Sequence, residues 1–154
     1  MKDQYKDLKE DILDEINAIE ETLERLSKVK DNFNSQKGDY STEPAMGTYL
    51  MNFYNGIENI LKRVSRKYYI TIPKGESWHK ELLLLSFNPP DGKTAIFNQN
   101  IVEKLQLYRA FRHRFISGYG FQLSGEKMLE LVSNIEPLWK EIKKSITDFI
   151  TKLQ

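Results

Sequence analysis

The sequence predicts an all-α protein, an antiparallel four-helix bundle with one short extra helix, on three observations. Apolar residues recur at spacings of three and four along almost the whole chain, the signature of one-sided helices. The breaks between these stretches are short and rich in glycine, proline and asparagine, as in DNFNSQKGD, NPPDGK and GYG. The 154 residues contain no internal repeat, no low-complexity linker and no second domain, so residues 1–154 are expected to form a single unit with one core.

The first helix is expected from the stripe Leu8, Ile12, Ile16, Ile19, Leu23, Leu26 and Val29, fading at DNFNSQKGD. A second should open at STEPA, with Ser41 or Thr42 as its cap and Pro44 early, where a missing N–H is harmless. Its apolar face would be Tyr49, Leu50, Phe53, Ile57, Ile60, Leu61 and Val64, and residues 70–75 should break it. The short helix is ESWHKELLLLSF, ended by two prolines that cannot continue a helix. The fourth runs from about Asn98 to Ser117, with GYG as a stop in which glycine tolerates the left-handed conformation. The last starts at Ser124 and runs nearly to the end.

Composition narrows the function. With no cysteine there are neither disulfides nor thiolate metal sites. No apolar run is long enough to span a bilayer, and the charged N-terminus lacks the apolar stretch of a signal peptide, so a cytoplasmic location away from membranes is expected. A net charge of +1 argues against a general polyanion binder and leaves only local contacts to nucleic acid. Acidic residues prevail in the first helix, while KRVSRK and RAFRHR are basic. The first basic run is a solvated helix face; in the second the bases alternate with Tyr108, Phe111 and Phe115.

Most reactive chemistries lack their residues. The two histidines, His79 and His113, lie far apart, and neither has a partner at metal-ligand spacing. PPDGKT lacks the spacing of a phosphate loop and is expected to be a turn. The carboxylates of the first helix follow its outer face, and His79 beside Trp78 is expected to be a packing pair. What remains is FRHRFISGYGFQL. Arg112 and Tyr119 are seven apart and would share a face if the helix continued, whereas Arg112 and Ser117 are separated by roughly 140°. Those two can meet on one small group only if the helix frays near Gly118 or if a second subunit completes the site. A guanidinium is a planar fork suited to phosphate, and a histidine five residues on would supply the proton transfer of RNA cleavage.

These residues resemble a HEPN-domain protein of the HepT ribonuclease-toxin group. That family carries an Arg, four to six residues, a His and often x-Tyr near the end of a bundle helix; the frame here is Arg112, HRFI, Ser117, Gly118, Tyr119. YLMNFYNGIENILKRV, SWHKELL, NPP, and LYRAFRHRF with GYGFQL share the likeness, which spans residues 45–125. The resemblance implies a homodimer whose motif helices line a shared cleft. It also implies metal-independent endoribonuclease activity, with the RNA 2′-hydroxyl attacking its own phosphate and no cofactor. The implied partner is a nucleotidyltransferase antitoxin of the MNT type, which transfers AMP to the motif tyrosine (AMPylation). By position, Arg112 would stabilise the phosphorane, Tyr119 would be modified, and Arg109, Arg112, His113 and Arg114 would hold RNA. Ser117 occupies the place of the family histidine, and serine does not titrate near neutrality, so this form is expected to be catalytically impaired, by engineering or natural loss. The alternative is a non-catalytic helical module that dimerises or binds RNA.

Overall fold

The computed structural model describes residues 3–35, 42–118 and 125–153. Five helices follow in order: α1 Lys6–Ser35, α2 Thr42–Val64, α3 Trp78–Phe87, α4 Gln99–Ser117 and α5 Gly125–Lys152. No strand occurs among the described residues, and the all-α bundle with one short helix is the observed architecture. Each long helix buries the stripe its spacing implies. In α1 the six residues from Leu8 to Leu26 are buried, with Val29 half-buried at the stripe's end. In α2 the buried set is wider than the stripe and takes in Met46, Tyr54 and Glu58.

The centre of the bundle is aromatic. Phe53 of α2 meets Tyr108 of α4 with ring centroids 5.4 Å apart and Trp139 of α5 at 6.4 Å, both edge to face. Two glycines let α2 approach its neighbours: a Cβ at Gly56 would fall 2.5 Å from Ile19 of α1, and one at Gly47 would fall 2.4 Å from Phe115 of α4. Ion pairs Arg63–Asp11 (3.0 Å) and Lys143–Glu20 (2.9 Å) join α1 to α2 and α5 at the surface, where such pairs contribute little.

The end of α2 differs from a simple break. The helix continues through one wide turn, Ser65–Tyr69, and stops at Ile70 in the left-handed region (φ 53°, ψ 40°). This keeps Tyr68 and Tyr69 over the loop before α4: Tyr69 Oη donates to the Thr94 carbonyl (2.8 Å), and the Thr94 N–H donates to Tyr68 Oη (2.9 Å). PPDGKT is a turn, with the Lys93 N–H donating to the Pro90 carbonyl (3.1 Å) and Gly92 at φ 82°. The same connection is pinned from behind, since the Ile96 and Phe97 N–H groups both donate to the Ser86 carbonyl of α3. Ser41, one of the two caps expected for α2, and Ser124, the expected start of α5, lie outside the described residues, and α2 begins at Thr42. Pro137 lies inside α5, which runs on through it.

Candidate functional site: a motif helix and a buried histidine–glutamate pair

Asn98 caps α4, its Oδ1 accepting from the Ile101 N–H at 2.8 Å. From there Ile101, Val102, Leu105, Tyr108 and Phe111 face the core and fix how the basic side chains leave the helix. They leave in different directions. Arg112 is half-buried and turns back onto α2, where its Nε–H donates to Asn55 Oδ1. Arg109 is also half-buried, its Nε–H donating to Gln106 Oε1 at 2.6 Å. His113 is exposed. Arg114 is exposed too and lines a groove of about 780 Å³ between α4 and α5, with Tyr108, Phe111 and Met128 among its walls.

Ser117 is the last residue of α4 and is exposed. The helix is regular up to it, so Arg112 and Ser117 keep the roughly 140° separation of a continuous helix. Fraying within the described part of α4 does not bring them together. The stop also differs from the expected one: Gly118 is extended (φ −100°, ψ 174°) rather than left-handed, and its N–H closes the last turn on the Arg114 carbonyl at 2.8 Å. The helix ends because the chain straightens, a conformation open to any residue. Tyr119 lies outside the described residues.

The α2–α3–α4 face holds a second group that the apolar pattern hid. Glu58 is 2 % exposed, and its Oε2 accepts from His79 Nδ1 of α3 at 2.6 Å. The His79 ring stacks on Trp78 with centroids 3.6 Å apart, as the packing-pair reading expects, and Lys62 Nζ stands 4.7 Å over the Trp78 ring. The Tyr54 hydroxyl is buried without a hydrogen-bond partner among the described residues. Burial pushes its phenol well above the usual range and the Glu58 charge adds to this, while Arg109 and Arg112 pull the other way. Asn55 and Glu58 are three residues apart, so the anchor of Arg112 and the anchor of His79 occupy neighbouring turns of α2. The one sequence signal for this pair is a carboxylate at position 58, between Tyr54 and Leu61 on an otherwise apolar face. Among the described residues no three His, Asp or Glu side chains gather as a metal site. No helix there is long and apolar enough to cross a membrane.

The all-helical bundle with one short extra helix is consistent with a HEPN-type protein. Residues 45–153 match the family described as HepT-like protein, and the chain belongs to that family. The match begins within α2 and extends past the motif through α5. Comparison with curated proteins and with solved structures gave no match.

Proposed function

We propose that the protein is the toxin of a HepT-like toxin–antitoxin pair, a metal-independent endoribonuclease slowed by the serine at position 117. One observation carries this reading: in a chain of the HepT-like family, Arg112 is held by Asn55 through Nε, and among the described residues its terminal nitrogens make no hydrogen bond and stand ready for a phosphate. Arg112 would face the charge that develops on the phosphorane. Arg109, His113 and Arg114 would extend the contact along the RNA backbone. The separation of Arg112 from Ser117 on one helix favours a homodimer in which each site takes residues from both copies. A specific interface of that kind buries more than ~1,000 Å², and light scattering at micromolar concentration should return twice the chain mass; a monomer would remove the shared site.

Arg112→Ala is expected to weaken binding to single-stranded RNA and to flatten its salt dependence by about 0.7 in log–log slope, the share of one phosphate contact. Fluorescence anisotropy across a salt series measures this, and an unchanged slope would show that Arg112 touches no phosphate. The proposed partner is a nucleotidyltransferase antitoxin that moves AMP from ATP to the Tyr119 hydroxyl, releasing pyrophosphate. The adduct would add a phosphate anion seven residues beyond Arg112 in the chain and, on this reading, compete with RNA for the same charge. Incubation with that enzyme, ATP and magnesium should add AMP to the chain, and Tyr119→Phe should remove the main adduct in intact-mass spectra. An undiminished adduct would reassign the modified residue. Ser117 favours a second reading, a non-catalytic helical module that dimerises or binds RNA, and Ser117→His separates it from the first.

A further inference from the structure

We propose that His79, oriented by the buried carboxylate of Glu58, is the proton-transfer group on the face where Arg109 and Arg112 lie, and that the slow cleavage left to this chain runs through it. The inference rests on the nuclease reading and supplies the acid–base group that position 117 lacks. Glu58 stands among Ile57, Ile60 and Leu61, where packing alone would favour leucine, and a carboxylate removed from water there is costly unless it has a partner. His79 is that partner. Because the carboxylate can only accept, Nδ1 carries the hydrogen, and in the neutral imidazole Nε2 then holds the lone pair a general base needs. Nε2 makes no hydrogen bond among the described residues, and the side chain is 29 % exposed, enough for a substrate proton to reach it. The stack on Trp78 holds the ring plane. This is the base-and-orienter half of a catalytic triad, recognised by geometry rather than by position in the chain.

Its placement suits phosphoryl chemistry. The anchors Asn55 and Glu58 are separated by about 4.5 Å along the α2 axis, and α3 and α4 pack on each other as well as on α2. The Tyr54 hydroxyl is influenced both by the Glu58 charge and by those of Arg109 and Arg112, so the two anchored pairs bear on one buried group. In the proposed step His79 Nε2 takes the proton of the RNA 2′-hydroxyl as the 2′-oxygen bonds to the adjacent phosphorus. Arg112 faces the negative phosphorane. The bond from phosphorus to the 5′-oxygen then breaks, and the imidazolium returns its proton to that oxygen. The products are a 2′,3′-cyclic phosphate and a 5′-hydroxyl, and His79 is neutral again. One group serving in turn as base and acid explains why a family member without its motif histidine would be slow rather than inert.

The test uses the full chain, an end-labelled single-stranded RNA and EDTA. His79→Asn keeps a side-chain N–H for Glu58 but cannot transfer a proton. It should lower the cleavage rate at least about 10²-fold, with anisotropy showing RNA affinity within twofold and circular dichroism unchanged. The loss should fall on kcat and leave KM unchanged, because the imidazole acts only as the proton moves. Glu58→Gln, which removes the charge of a positioning residue, should lower kcat with KM unchanged, because the imidazole loses the carboxylate that orients it. A His79→Asn rate equal to that of the starting chain overturns the proposal. So does the absence of cleavage by the starting chain while Ser117→His cuts, a result that leaves the nuclease reading standing. If neither form cuts RNA, the nuclease reading falls with it.

Discussion

Ser117→His is expected to raise the rate of RNA cleavage in the presence of EDTA by about 10²- to 10⁴-fold, the usual contribution of a positioned acid or base. Position 117 is the exposed last residue of α4, so the larger side chain meets no core and stability should not change. The gain should appear in kcat more than in KM, because in the proposed reading Arg112, Arg109 and Arg114 provide the phosphate contacts and the new imidazole acts only as the proton moves. Gel analysis of single-turnover cleavage measures the effect. A serine form as fast as the histidine form would show that position 117 takes no part in proton transfer. A histidine form that binds RNA but never cuts it would favour the non-catalytic module.

Phe53→Ala should destabilise the bundle by about 3–5 kcal/mol, the range for emptying a large aromatic site in a core. Phe53 is fully buried and touches both Tyr108 and Trp139, so the cavity would lie where α2, α4 and α5 meet. These neighbours are held elsewhere and cannot easily collapse into it: Tyr108 Oη donates to the Leu131 carbonyl at 2.7 Å, and Trp139 Nε1 donates to Glu20 at 3.3 Å. At this chain length each kcal/mol lowers the melting temperature by roughly 2–4 °C, and calorimetry should resolve the loss. A change below about 1 kcal/mol would mean that the aromatic cluster is not the centre of the core. Because Asn55 lies two residues from Phe53 on α2, the variant should also weaken RNA binding through the seating of Arg112, although Phe53 and its ring partners are themselves buried.

Periodicity along the chain is enough to assign the helices and most of the core. A helix must put residues three and four apart on one side, and only one side of a bundle helix can be buried, so the stripes Leu8 to Leu26 and Leu50 to Val64 follow from spacing alone. The family is legible too, because the stretches that resemble it, from Tyr49 to Leu123, fall within the matched residues 45–153. How the basic cluster divides is a matter of packing, with Arg112 turned onto Asn55 and Arg114 onto the α4–α5 groove, since that depends on which neighbour lies beside each face of α4. Packing also set the wide turn at Ser65–Tyr69, which periodicity does not encode and which the hydrogen bonds of Tyr68 and Tyr69 to Thr94 accompany. It alone joined Glu58 to His79, 21 residues apart. Spacing rules carry information over a turn or two of one helix, whereas a buried charge finds its partner through the packing of two helices, and no periodicity in either one names the other.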